Sequence, residues 1–287
     1  MIALTGATGF IGKNLINKLK GKKIKCLIRR YNENLGKKNI IPVMGDITNK
    51  TSAEMFLKGA KILIHLAAVI DSNNRKDYYS VNVEGTKNLV DACKKNKVKR
   101  IIFVSSMAST KDYLDDYGRS KKIAEDIVKR SGLNYTILRP SLVYGENSNS
   151  MRKMVSLIDS FKFIPIVGNG EYKINPVHVN DVVSAILSSI ESKKSIGKAY
   201  DILGKSEITF NEFVDMVSAK YNIHKRKVHI PIQLCLAVSS IGSILGPHFP
   251  LKKSFVLSLN SRYKGEISQA RSDLNYHPIE FKEGLNR

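Results

Sequence analysis

Three glycines at equal spacing, Gly6, Gly9 and Gly12, stand between an apolar run at residues 1–5 and a helix-like stretch at 13–20. That junction constrains the fold more than any other segment, because it fixes where a phosphate group can sit. Gly6 permits a tight turn, Gly9 lets the main chain approach a pyrophosphate, and Gly12 allows close packing of helix on strand. Free N–H groups at the helix start then face the anion. Thr8, Phe10 and Ile11 complete the turn, and all six residues are candidate cofactor contacts. Nineteen glycines would scatter such a pattern by chance, so its weight comes from the strand before it and the helix after it.

The first half keeps that strand-to-helix rhythm. Apolar runs at Ile2–Thr5, 23–28, Ile40–Met44, 62–66, 101–105 and 135–138 alternate with helical stretches, clearest at 77–96 and 117–131. Such alternation predicts βαβ units and a parallel sheet. The expected fold class is therefore α/β, a Rossmann-type doubly wound parallel sheet. After Arg139-Pro140 the rhythm breaks. The pattern then predicts a helix at 151–160, a turn-rich loop at 164–170, a short strand near Val177, a helix at 181–191 and a strand at 198–202. Thr209 reads as the N-cap of a helix running to Lys220, and the last seventy residues read as mostly helical. The expected division is a dinucleotide-binding domain over 1–145, with 176–203 returning to it, and a smaller substrate lobe over 146–175 and 204–287.

Composition adds limits. With 43% hydrophobic residues among 287, the chain can bury one large core. Cys26, Cys93 and Cys235 form no C-x-x-C pair, which argues against disulfides and zinc and suits a reducing cytoplasm. A strand starting at Met1 is expected to leave no room for a secretory or transit peptide. The net charge is +22, spread over most segments without aromatic–basic interleaving. That predicts a solvated surface attracting an anionic cofactor and substrate, and no nucleic-acid partner. Residues 230–245 are nearly free of charge, with Leu234, Val238, Ile241 and Leu245 on one helical face. Lysines flank them at Lys225, Lys227, Lys252 and Lys253. The stretch is too short to span a bilayer; peripheral membrane contact, packing on the lobe and a second subunit stay open.

Tyr117 and Lys121 lie four apart, hence on one helix face. Tyr221 and Lys225 share the spacing, but only the first pair follows an apolar strand ending in hydroxyls, Ser105-Ser106. That places Tyr117 and Lys121 near the sheet edge beside the dinucleotide. His65 ends an apolar strand and is read as a structural histidine, while His178, Asn180 and Asp181 read as a helix N-cap region. No metal-ligand cluster is present in the sequence.

These ordered motifs resemble the extended short-chain dehydrogenase/reductases, specifically the NAD-dependent epimerase/dehydratase group. Thr5–Gly12 is similar to the group's nucleotide turn, and Gly45-Asp46-Ile47 to its adenine-contacting segment. His65-Leu66-Ala67-Ala68 resembles the strand end beside the cofactor, and Val81-Asn-Val-Glu-Gly-Thr86 its helix signature. Leu138-Arg-Pro140, Val143-Tyr144-Gly145 and Val177-His-Val-Asn-Asp181 fit later landmarks, and 265–270 with 274–278 the C-terminal pattern. The resemblance implies Tyr117 as general acid/base, Lys121 as its electrostatic partner and ribose contact, and Ser106 as the donor holding the reacting oxygen. It implies Asp46, Ile47, Leu66, Ala67 and Ala68 as cofactor contacts, and Met107 and Tyr144 as substrate contacts; Arg262, one of many cations, is a candidate to hold a substrate diphosphate. A free phenol near pKa 10 is a poor base, and a neighbouring cation is expected to lower it by about 1–3 units.

Cofactor choice follows from the end of the second strand, where Arg29-Arg30 stand with no acid before Glu33. A basic residue there accepts a 2′-phosphate, so NADP(H) is favoured over NAD(H), with Arg29 as the main contact. Only 107–116 separate Ser106 from Tyr117, a shorter loop than sugar-nucleotide enzymes of this group usually carry. Met107 and Ala108 occupy the stretch where dehydratases place an acid pair, which argues against dehydration. Three readings stay open: an epimerase or oxidoreductase of a nucleotide-linked sugar, an NADPH-dependent ketone or aldehyde reductase with a lipid-like substrate, and a non-catalytic nucleotide-binding subunit. A homodimer is a family-level expectation.

Overall fold

The computed structural model describes residues 1–19, 21–31, 39–245, 253–259 and 265–287. Seven parallel strands form the central sheet: β1 (Ile2–Thr5), β2 (Ile24–Ile28), β3 (Ile40–Met44), β4 (Ile62–His65), β5 (Arg100–Val104), β6 (Tyr135–Pro140) and the Lys198–Ile202 strand. Their spatial order is Lys198–Ile202, β6, β5, β4, β1, β2, β3. Ile2 pairs with Ile24 on one side and Ile62 on the other. The winding therefore reverses between β1 and β4, the place where such sheets bind ligands beyond their strand ends.

Helices cover both faces, so alternate residues of each inner strand are apolar in both directions. Leu4, Ile64 and Ile102 pack under helix α1 (Phe10–Lys18) and the Val179–Glu191 helix, with Leu15, Val182 and Ile186. Their neighbours Ala3, Leu63 and Ile101 face the Lys50–Leu57, Gly85–Lys95 and Asp116–Lys129 helices through Phe56, Leu89 and Ala124.

A smaller lobe follows β6. It holds three two-stranded ribbons, Val143–Tyr144 with Val177–His178, Lys173–Ile174 with Ile208–Thr209, and Ile164–Val167 with Lys227–Ile230. Helices Asn149–Ser160 and Phe210–Lys220 pack on them around Tyr144, Met151, Ile164, Ile166, Phe213, Val217 and Phe281. Thr209 caps the second helix reciprocally with Glu212: its backbone N–H donates to Glu212 Oε2 at 2.7 Å, and its Oγ1 accepts from Glu212 N at 3.1 Å.

Three segments depart from the sequence expectation, the first being the turn-rich loop expected at 164–170, which opens as the strand Ile164–Val167 because Lys227–Ile230 supplies it with a backbone partner. The helix expected over 77–96 opens as a π-helix at Tyr78–Glu84 and becomes regular only at Gly85–Lys95. At the junction a Cβ on Gly85 would lie 2.7 Å from the Ile47 side chain, so helix and β3 loop approach closely. The Lys227–Ile230 strand interrupts a region expected to be mostly helical; its backbone is claimed by Ile164–Val167, far away in sequence. Among the described residues, no helix is long and apolar enough to cross a membrane.

Candidate active site

The glycine turn has the geometry a phosphate cradle needs. Gly6 sits at φ +72°, and a Cβ there would lie 2.7 Å from Ala67 N. A Cβ on Gly12 would collide with the Gly6 carbonyl oxygen. Gly9 donates its N–H to that same carbonyl at 3.0 Å and serves as the N-cap of α1, with no side chain capping the helix. The first-turn N–H groups therefore point outward from an uncapped helix start, as an anion requires. Thr8 is exposed beside them, Phe10 and Ile11 are half-buried, and Gly12 is buried.

The other nucleotide candidates line the same edge. Arg29 is exposed directly after β2, Asp46 is half-buried two residues after β3, and Leu66, Ala67 and Ala68 leave β4 half-buried. Asp46 Oδ1 accepts from Thr48 N and Thr48 Oγ1, both at 2.9 Å, which fixes the loop that carries buried Ile47. Ala67 N donates to Thr5 Oγ1 at 3.2 Å, joining the β1 and β4 ends at the reversal point. These residues fit a dinucleotide: a glycine cradle a Cβ would fill, an anion-facing helix start, and a cation beyond the second strand. Glu33, Lys252 and Arg262 lie outside the described residues.

Ser106, Tyr117 and Lys121 come together at the end of β5. Ser106 leaves the strand in extended conformation and caps a 3₁₀ turn, Met107–Thr110, accepting from Ala108 N at 3.1 Å. Asp115 caps the Asp116–Lys129 helix by accepting from Gly118 N at 2.7 Å. A Cβ on Gly118 would collide with the Ala108 carbonyl oxygen, so helix start and serine turn are in close contact. This contact sets the Tyr117 phenol beside the Ser106 turn. The Tyr78 ring from the π-helix stands 6.4 Å from the Tyr117 ring. Asn82, from the same π-helix, donates to Ser120 Oγ at 2.9 Å.

The electrostatics differ from the sequence expectation. Burial pushes the Tyr117 phenol up to about 12, against a lowering by the neighbouring Ser106. Lys121 does not lower it here. Its ammonium is buried, donates to the Val104 carbonyl at 2.9 Å and lies 4.3 Å from the centre of the Phe103 ring. Burial brings Lys121 itself down to about 7, opposed by Glu125. A cation directed at the sheet, and half neutralised, cannot stabilise a phenolate.

Glu125, which the sequence reading passed over, anchors this region. It is 3% exposed and accepts from Ser109 Oγ at 2.7 Å, Arg139 Nε at 2.9 Å, Arg139 Nη2 at 2.7 Å and Lys129 Nζ at 3.2 Å. Its carboxyl, despite burial, is held down to about 2 by Arg139 and the neighbouring hydroxyls. Arg139 Nη1 also reaches Asp201 on the Lys198–Ile202 strand at 3.5 Å. One carboxylate thus ties together the Asp116–Lys129 helix, the serine turn and β6. Its signal in the sequence was the next four-residue step after Lys121.

The remaining candidates occupy other positions. Met107 is buried, its terminal methyl near Gly265. Tyr144 is buried inside the lobe's apolar cluster, ring centroids 4.7 Å from Phe281 and 5.3 Å from His178, and its hydroxyl donates to the Phe281 carbonyl at 3.4 Å. His65 has both ring nitrogens engaged, Nδ1 at 2.8 Å from Thr5 Oγ1 and Nε2 at 3.0 Å from Thr86 Oγ1, and burial brings it down to about 3. His178 caps its helix by accepting from Asn180 N at 3.3 Å. Among the described residues, no cluster suited to a metal ion occurs.

A doubly wound parallel sheet with a glycine turn at its reversal point is the architecture of the short-chain dehydrogenase/reductases, here of the extended type with a second lobe. The chain belongs to the NAD dependent epimerase/dehydratase family, whose profile matches residues 2–202. Enzymes of this type include epimerases, dehydratases and reductases. The chain is 30% identical over 239 residues to the mitochondrial NADH dehydrogenase (ubiquinone) 1 alpha subcomplex subunit 9 of Dictyostelium discoideum. That match covers 79% of this chain and 65% of the subunit, so the chain spans just under two thirds of that relative. It is 28% identical over 320 residues to UDP-glucose 4-epimerase of Vibrio cholerae, covering 100% of this chain and 93% of the epimerase. The structure of MoeE5 in complex with UDP-glucose and NAD shares the fold, with a TM-score of 0.77 at 22% identity over 99% and 96% of the two chains.

Proposed function

We propose that the chain is a nicotinamide-dependent epimerase or oxidoreductase of a nucleotide-linked sugar, with Ser106, Tyr117 and Lys121 as its reacting site. The observation that carries this reading is the packing of the Tyr117 helix start on the Ser106 turn, at the sheet edge that also holds the glycine turn. A bound nicotinamide supplies the hydride donor or acceptor. Ser106 holds the reacting oxygen. Tyr117, protonated at neutral pH, gives a proton to a ketone oxygen as that carbon is reduced. In the opposite direction the phenol must lose its proton, and Lys121 can support that step only by turning from the Val104 carbonyl toward the tyrosine. Arg29 favours NADP(H) through its position after β2, and the lobe at 146–175 and 204–287 receives the sugar. Similarity to a UDP-glucose 4-epimerase across the full chain supports the substrate class.

Turnover of nucleotide sugars with NADPH and NADH, for the wild type and Tyr117→Phe, tests the reading. The variant is expected to lose about 10²–10⁴-fold in rate while keeping its thermal stability. Unchanged turnover would reject the mechanism. A second reading, a reductase of a lipid-like ketone, is favoured by the protonated Tyr117 and by Leu234 and Val238 exposed on the Ile232–Leu245 helix. Net consumption of NADPH separates the two, because epimerisation returns the cofactor.

A further inference from the structure

The Asn149–Ser160 helix carries an open groove of about 450 Å³ lined by Arg152, Lys153, Ser156 and Ser160. Directly beyond the helix, in the bend before Ile164–Val167, Phe161 and Phe163 are 45% and 42% exposed with Lys162 between them. The strand that follows pairs with Lys227–Ile230 in the register Lys227↔Ile164 and Val228↔Pro165. One face of this ribbon is turned to the lobe: Ile164 and Ile166 are buried, Lys227 reaches Asp215 at 2.7 Å, and the exposed His229 has Nε2 3.1 Å from Asn211 Oδ1. Alternation along a strand then sets Pro165 and Val228, with the flanking Phe163 and Arg226, on the opposite face. Val228 is 41% exposed there. The Ile232–Leu245 helix begins just after this ribbon, contains no charged residue, and exposes Leu234 and Val238.

The carboxylates nearby are each matched by a lysine: Asp71 by Lys153 at 3.3 Å, Asp159 by Lys225 at 3.0 Å, and Asp215 by Lys227. Arg152, Lys162 and Arg226 have no carboxylate partner among the described residues. Aromatic side chains projecting from a bend, interleaved with unmatched cations, on a protein of net charge +22, suit a surface that is anionic and deformable. A bilayer accepts such projections without shape complementarity, whereas a folded partner would need a matching pocket.

We propose that this face of the lobe docks on an anionic membrane surface, Phe161 and Phe163 entering the interface and Arg152, Lys162 and Arg226 meeting lipid phosphates. None of these residues belongs to the glycine turn or to the Ser106, Tyr117 and Lys121 group, so docking stands or falls independently of the catalytic reading.

The chain has no tryptophan, so Phe163→Trp places a single tryptophan, excited selectively over the tyrosines, at the centre of the patch. Its fluorescence is expected to shift to the blue with vesicles of phosphatidylcholine and phosphatidylglycerol, and to return on raising the salt concentration. Pure phosphatidylcholine vesicles are expected to leave it unchanged. Ile196→Trp, an exposed site before the Lys198–Ile202 strand at the far edge of the sheet, serves as the control and is expected not to shift. Flotation of Lys162→Gln/Arg226→Gln, which keeps both aromatics, is expected to show binding weakened about fivefold for each cation removed. No shift with the anionic vesicles overturns the proposal, as does an equal shift in the Ile196→Trp control or with neutral vesicles. A shift that grows with protein concentration in the absence of vesicles also overturns it, because a second copy then covers the face.

Discussion

Lys121 and Glu125 lie one turn apart on the same helix, and both are almost fully buried, yet burial has opposite outcomes for them. Lys121 is brought from its ordinary 10.5 down to about 7, toward its neutral form. Glu125 goes from 4.5 down to about 2, deeper into its charged form. The difference lies in their partners. Lys121 meets one carbonyl and the face of a phenylalanine ring, which stabilise a cation only weakly. Glu125 meets a two-point guanidinium, an ammonium and a hydroxyl. One turn of the helix is therefore under-compensated and able to gain a partner, and the next is locked. The reacting site proposed above would have that distribution of charge on a fixed support.

The largest expected effect breaks the locked turn. Glu125→Gln leaves Arg139 and Lys129 facing an uncharged amide, and loss of one partner of a buried pair costs about 3–5 kcal/mol. Urea unfolding should show that loss. Glu125→Asp keeps the charge but shortens the reach, and should recover part of the stability. If Glu125→Gln costs less than about 1 kcal/mol, the carboxylate is not the anchor its bonds suggest.

The contrast also shows what a sequence can carry. The placement of Tyr117 and Lys121 on one helix beside the end of β5 was legible because two local facts sufficed: a four-residue spacing, and a position shortly after a strand ending in Ser105-Ser106. Glu125 obeys the same spacing, but its partner Arg139 lies on a strand, and the register between helix and strand is set only by packing. The sheet's strands were legible for a similar reason, since each is a short apolar run bounded by turn residues. The π-helix was not, because an extra residue in one turn leaves the apolar pattern around Val81 and Val83 readable as an ordinary helix. Nor was the Lys227–Ile230 strand, whose Lys-Val-His-Ile pattern is only half apolar and is completed by a remote partner. The expected lowering of Tyr117 failed for a third reason: adjacency on a helix face does not say where a long lysine side chain is directed.

The second effect sharpens the comparison through pH. Lys121 folds with a pKa near 7 and unfolds with one near 10.5. Between those values the unfolded chain binds more protons, so stability must rise with pH, by up to about 1.4 kcal/mol per unit. Cys26 and Cys93, pushed up to about 12 by burial, contribute the opposite slope above 9. The window from 7 to 9 therefore isolates the lysine. Lys121→Met should flatten the rise there while leaving the acid limb intact. That limb belongs to groups such as His65, which binds protons more readily unfolded between about 3 and 6.5. A rise from 7 to 9 that survives in Lys121→Met would mean that burial does not hold the ammonium near neutrality.

The smallest effect comes from charge pairs that resemble the Glu125 network on paper and differ from it in water. Lys227 Nζ lies 2.7 Å from Asp215, as short as the Arg139–Glu125 contact, but the Asp215 side chain is 62% exposed where that of Glu125 is 4% exposed. Solvent screens the lobe's pair and offers each partner a replacement when the other is removed. Lys227→Gln should therefore change stability by about 1 kcal/mol or less, and added salt should erase the change, since exposed charges are screened within about 10 Å at 0.1 M ionic strength. Equal losses from Lys227→Gln and Glu125→Gln would show that distance, and not desolvation with multiple partners, decides what an ion pair contributes in this fold.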